Sequence, residues 1–232
     1  MKVLSFLAVC FLFSLIGFSI VAEPNDECKN IGNEKTKKIC YTEAYKKSDK
    51  LLNSTYKEIK SKLSGTEEKE LISVQRDWIL YRDSICEGPL YSHDTSGLEI
   101  SICKLQTTDD RIGYLRTVWK KGNFPDTPAG EYLDGFGGNL RIMKVSENKY
   151  EFSMEVVRGP TAHIGEVSGH WQIKQNTKWR WKSDPECQES DMECCVLEFK
   201  SSQVKIEVKE VSCNYYHGAR AYFDGIYRYK FR

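Results

Sequence analysis

Apolar residues recur every three or four positions up to about Trp119, and every second position from about Leu140 onward. That change of period divides the chain into a helical half and a strand-rich half. In the first half, Tyr45, Leu52, Tyr56, Ile59 and Leu63 form one stripe and predict a helix over about 37–63. Leu71, Val74, Trp78, Tyr81 and Ile85 predict a second, opened by a Ser64/Glu67 capping box and ended by Gly88-Pro89. Leu98, Ile102, Leu105, Ile112, Leu115 and Trp119 supply the buried side of a third, over about 98–119. Folding the chain back about Ser64-Gly65-Thr66 sets Leu52 opposite Trp78, Asp49 beside Arg82 and Tyr56 beside Gln75. An apolar pair is then flanked by a charge pair and a polar pair. This antiparallel hairpin is expected to be the spine of the first domain, with Asp49, Tyr56, Gln75, Trp78 and Arg82 in structural roles.

A Gly/Pro-rich stretch over 121–130 precedes the change of period. Beyond it, Leu140/Ile142/Lys144 and Tyr150/Phe152/Met154/Val156 alternate around a Ser-Glu-Asn-Lys turn. Trp171/Ile173, Trp179/Trp181, Val204/Ile206/Val208 and Tyr227/Tyr229/Phe231 continue the alternation, which predicts about eight short antiparallel strands. The expected fold class is α+β: a disulfide-stapled three-helix domain, then a small antiparallel β-barrel or sandwich. Gly130-Glu131-Tyr132 and Phe223–Tyr227 are placed to close such a sheet. The expected divisions are a leader at 1–22, a helical domain at 23–120, a linker at 121–129 and a β domain at 130–232.

The leader reads as a secretory signal, with Lys2 before an apolar run from Val3 to Val21 and a cleavage point after Ala22. The competing reading is a retained membrane anchor. Its removal takes Cys10 from the nine cysteines and leaves eight, an even number in an exported chain, which favours disulfides over metal binding. Cys28 with Cys40 and Cys86 with Cys103 are the simplest bridges of the helical half. In the β half, Cys195 with Cys213 would tie neighbouring strands and Cys187 with Cys194 would close an acidic loop. Exchange of partners between Cys194 and Cys195 stays open. The Cys187/Cys194/Cys195 spacing matches no common zinc pattern. Without Lys2 the chain carries 33 basic and 33 acidic residues, so no broad field favours nucleic acid or an anionic membrane. No Gly-rich phosphate loop, His-Glu-x-x-His motif or nucleophile elbow is present. Neither a cofactor nor a metal is expected, and the chain is expected not to be an enzyme.

Cys28, Cys40, Asp49, Leu52, Tyr56, Gln75, Trp78, Arg82, Cys86, Cys103, Thr108, Arg111 and Leu115 occur in an order and spacing that resemble the N-terminal domain of LprI-type lysozyme inhibitors. The resemblance covers about 28–118. It departs at Thr36, where the family often has Glu, and in a longer Cys86–Cys103 loop. The β half resembles only loosely the small β domains of exported bacterial inhibitors. The resemblance implies a non-catalytic binding protein, periplasmic or secreted by a bacterium. Its partner would be lysozyme or another cell-wall-related protein, with membrane contact only through the leader before cleavage. Lysozymes work with two carboxylates in a cleft, and a rigid donor-rich loop could occlude them. Tyr91-Ser92-His93-Asp94 is the expected contact loop: tyrosine offers stiff contact area, Ser and His offer donors, and a flanking disulfide lowers the ordering cost. The turns at 159–163 and 215–220 are candidates for a second contact surface, and Glu186, Glu189, Asp191 and Glu193 for an acidic patch. Two other readings remain open: an envelope interaction or structural module with another protein partner, and a barrel carrying a small apolar ligand between Trp171, Trp179 and Trp181.

Overall fold

The computed structural model describes residues 26–120, 122–172, 177–202 and 204–231. The expected leader with Cys10, and Ile173, lie outside these. Among the described residues, the first half holds four helices: α1 (Asp26–Lys29), α2 (Glu34–Lys60), α3 (Gly65–Cys86) and α4 (Leu98–Val118). A 3-10 turn at Pro89–Tyr91 stands between α3 and α4. No described helix is long and apolar enough to cross a membrane.

Asn33 opens α2, its Oδ1 accepting the Thr36 N–H at 3.0 Å and the Thr36 hydroxyl at 3.2 Å. Gly65 takes φ 61° to turn the chain from α2 into α3, a conformation that favours glycine. Ser64 occupies the N-cap of α3 in an extended conformation, but its hydroxyl makes no capping bond, so the expected capping box does not form. The reason is long-range: Glu67 accepts from Arg228 at 3.4 Å, across the boundary with the β half.

The expected spine also needs correction. The closest helix pair is α2 with α4, not α2 with α3. Leu52 and Trp78 do share one core, but α4 and its end supply most of it through Ile112, Tyr114, Leu115, Val118 and Trp119. Polar links reinforce the pairing: the Ser48 hydroxyl donates to Asp109, and the Thr42 and Ser101 hydroxyls lie 3.3 Å apart. Leu71 and Leu115 are fully buried, and cutting either to alanine is expected to cost about 2–5 kcal/mol. Disulfides Cys28–Cys40 and Cys86–Cys103 staple α1 to α2 and the end of α3 to α4.

The second half is one antiparallel sheet of β1 (Gly130–Leu133), β2 (Gly138–Lys144), β3 (Lys149–Arg158), β4 (His163–Gln172), β5 (Lys178–Lys182), β6 (Val196–Ser201), β7 (Lys205–Ser212) and β8 (Gly225–Tyr229). Its strand order is β4-β3-β2-β1-β8-β7-β6-β5. The first and last strands pair, with Tyr132 opposite Tyr229 and Leu133 opposite Arg228. The sheet curls into a nearly closed barrel whose gap falls between β4 and β5, where the Trp181 indole lies against Gly169. Alternation puts Leu140, Phe152, Met154, Phe199, Ile206 and Tyr227 inside. Trp179 stacks on Phe199, Trp171 lies tilted against both, and Phe152 packs against Trp171 and edge-on to Phe199, ring centroids 4.7–5.4 Å apart. Aromatic side chains therefore fill the space that a carried ligand would need. The Cys195–Cys213 bridge joins the start of β6 to the end of β7, and Cys187–Cys194 closes the loop before it.

Helices and sheet meet over a shared junction. Leu133 and Phe136 pack on the helical core. The Arg228 guanidinium lies 3.8 Å over the Trp119 ring and donates to Glu70 at 2.8 Å, while Lys205 reaches Glu70 at 2.6 Å.

Candidate functional site

The segment between α3 and α4 starts at Cys86, whose bridge to Cys103 in the second turn of α4 ties the two helices together beneath it. Pro89 at the first position of the short 3-10 turn favours it, and the Ser92 hydroxyl then donates back to the Pro89 carbonyl at 2.8 Å. Asp94 then organises the start of α4. Its Oδ1 accepts the Gly97 N–H at 2.8 Å and the Ser96 hydroxyl at 2.8 Å, and its Oδ2 accepts the Ile100 N–H at 3.1 Å. Ser96 Oγ accepts the Leu98 N–H at 3.1 Å. Partial desolvation of the Asp94 carboxyl opposes ionisation, but the Ile100 N–H, the Ser96 hydroxyl and the Gly97 N–H outweigh it and lower its pKa to about 2. The free N–H groups of the helix start are thereby satisfied by two side chains, Asp94 for Gly97 and Ile100 and Ser96 for Leu98.

The four residues of the expected contact loop thus fall into different positions. Asp94 faces inward as a cap. Ser92 is exposed but folded onto its own turn, and Tyr91 is half-buried. His93 stands out, its side chain 69% exposed and its Nε2 3.0 Å from a Glu99 carboxylate oxygen. Leu90, at 42% exposure, adds an apolar contact that the sequence reasoning did not single out. The loop offers a rigid, small surface of leucine, tyrosine and histidine.

The residues given structural roles lie elsewhere, along α2 and α3. Arg82 is buried, 2.9 Å from Asp83 and 3.8 Å from Asp49, with its guanidinium 5.4 Å from the Trp78 ring centroid and 5.8 Å from that of Tyr45. Asp49 is therefore the outer partner and Asp83 the nearer one. Gln75 serves Arg111 by accepting its Nε–H at 3.0 Å. Arg111 also donates to the Val74 carbonyl at 3.2 Å and the Gly135 carbonyl at 3.3 Å, and stacks on Trp78 and Tyr114. Burial lowers its pKa to about 10, so it stays charged at neutral pH. Gly135 has φ 79°, and a Cβ there would sit 2.5 Å from Arg111 Nη1, so only glycine lets the loop approach this closely.

Two of the other candidate surfaces come together. The turns at 159–163 and 215–220 meet beside β4, where Gly165 bridges His217, Glu166 N–H donates to Tyr216 O at 3.1 Å and Gly218 N–H to Ile164 O at 3.0 Å. The acidic loop closed by Cys187–Cys194 carries Met192 at 81% exposure, and Glu189 is paired with Arg180. Among the described residues no group of His, Cys, Asp and Glu is arranged to hold a metal ion. All eight cysteines of this region of the chain are in disulfides.

These features define a disulfide-stapled helical platform joined to a filled β-barrel. Residues 28–115 match the family model described as Lysozyme inhibitor LprI. The match spans α1 to α4, including the clamped loop, and leaves the barrel outside it. Neither the curated proteins nor the solved structures give a match to the chain.

Proposed function

We propose that the protein is an exported, non-catalytic inhibitor of lysozyme, which it blocks by seating the α3–α4 loop in the enzyme's cleft. The family match over 28–115 carries this reading. The loop's geometry supports it: a disulfide from the end of α3 to α4, a 3-10 turn and the Asp94 cap fix its shape before any partner arrives, which lowers the entropy lost on binding. Leu90, Tyr91 and His93 then act as anchors, and His93 supplies a donor to a carboxylate. Export accords with four disulfides.

The test is lysis of a bacterial cell-wall suspension by lysozymes of several classes, with and without the purified protein. Inhibition at micromolar protein is expected, with a Leu90→Ala/His93→Ala variant weaker by about 2 kcal/mol or more, the range of an interface anchor. No inhibition of any class at micromolar excess sinks the proposal. Inhibition undiminished by the double variant relocates the contact away from this loop.

A further inference from the structure

A cleft of about 360 Å³ opens between α3 and the segment leading into β8. Val74 and Asp77 form one wall, Tyr222, Asp224 and Ile226 the other, and Phe136 an end. The floor is already neutralised: Asp134 is paired with Arg158, and Glu70 with Arg228 and Lys205. The walls are not. Asp77 accepts only a long 3.4 Å bond from the Ser73 hydroxyl, and Asp224 accepts the Glu210 N–H at 2.8 Å. Neither exposed carboxylate has a cationic partner among the described residues. The lining holds four carboxylates, Glu70, Asp77, Asp134 and Asp224, against two cations, Arg158 and Arg228, with Lys205 reaching Glu70 from outside it. Tyr222 is 49% exposed although Arg158 stands 5.2 Å from its ring centroid, and Ile226 is 40% exposed.

We infer that this cleft docks one basic side chain, lysine or arginine, of a cationic protein partner. The aliphatic stem would lie on Val74, Phe136 and Ile226, where a long charged side chain buries its methylenes. The head would stand between Asp77 and Asp224 beside the Tyr222 ring, which supplies the two attractions available to a cation there, ionic and cation–π. The unpaired carboxylates of Asp77 and Asp224 favour a cationic head group over any other. An anion would meet uncompensated carboxylates at the rim, and a neutral ligand would leave them unpaired. The inference rests on the inhibitor reading only for the identity of the partner. With 34 basic against 33 acidic residues the chain has no broad acidic field, so such a local site is the means by which it could be steered to a cationic enzyme.

The experiment titrates the isotope-labelled protein with butylguanidinium, a bare arginine head and stem, and with neutral N-butylurea as its isostere. Butylguanidinium is expected to shift the Val74, Tyr222 and Asp224 amide signals saturably, and less so as salt is raised. Butylurea is expected to leave them in place. Asp77→Asn/Asp224→Asn should weaken binding by roughly tenfold. The amide oxygen that this variant carries at position 224 still accepts the Glu210 N–H, so an otherwise unchanged spectrum certifies the fold. Equal shifts from the urea, no shifts from the cation, or equal binding by the double variant each overturn the inference. Lysozyme inhibition without butylguanidinium binding removes the cleft and leaves the inhibitor reading standing. Butylguanidinium binding by a chain that inhibits no lysozyme does the reverse.

Discussion

Two nearly inaccessible arginines grip one loop from opposite halves of the molecule. Arg111 of α4 donates to the Gly135 carbonyl, and Arg158 at the end of β3 donates to the Phe136 carbonyl at 2.6 Å. They are 1% and 2% exposed. Their charges are accommodated in different ways. Arg158 has a full counter-charge in Asp134, 5% exposed, whose other oxygen accepts the Phe136 and Gly138 N–H groups. Burial acts to lower the Arg158 pKa, but Asp134 together with Tyr227 and Tyr222 offsets it and the net shift is upward. Arg111 has no carboxylate partner among the described residues and relies on an amide, two carbonyls and aromatic faces. The barrel side of the junction depends on a charge pair; the helical side depends on neutral acceptors and ring faces.

Breaking the charge pair should therefore cost most. Asp134→Asn leaves a buried guanidinium without its counter-ion, and denaturant unfolding is expected to show a loss of about 3–5 kcal/mol. Arg111→Met removes the charge together with the need to solvate it, leaving the Val74 and Gly135 carbonyls and Gln75 without a donor. The expected loss is smaller, about 1–3 kcal/mol. A larger loss at Arg111 than at Asp134 would reverse the comparison. Acid sharpens it locally. The Asp94 pKa is depressed from its ordinary value of 3.8 to about 2. Its contribution is fully present above pH 3.8 and lost as pH falls through 2. Hydrogen exchange at Gly97 and Ile100 should accelerate across that window while the Arg111 contacts hold. Glu67→Gln should change least, by about 1 kcal/mol or less, because Glu67 is half exposed and Glu70 still holds Arg228. Thermal melts of the two proteins at low salt would resolve it.

Much of this architecture was legible in the residue pattern, for definable reasons. Stripes at Leu52/Tyr56/Ile59 and Leu71/Trp78 encode which face of each helix is buried, and those faces are buried. They do not encode which helix covers them, and the turn at Gly65 suggested an α2–α3 contact where α4 intervenes. The Ser64/Glu67 motif misled because local spacing cannot register Arg228, a residue 161 positions away. Strand alternation and the β1–β8 closure were readable from period two. The clamp on Gly135 and Phe136 was not, since it joins α4, β3 and a loop that no single periodicity spans. At the candidate site, Asp94 looked like a contact residue because its residue type and its place in a polar loop are visible in sequence. Its three accepted bonds are not. Tyr222, Asp77 and Asp224 gave no signal, because they share a cleft only after the two halves dock.

The place of β8 has a consequence for how the protein is made. β1 to β4 form one meander and β5 to β7 another, and the two are joined in the sheet only through the strand at Gly225–Tyr229. A nascent chain can therefore fold its helices and bridge Cys28 to Cys40 early, while the barrel waits for residues near its end. Until they emerge, both meanders expose an unpaired edge, and pairing them demands contacts distant in sequence, the slow kind.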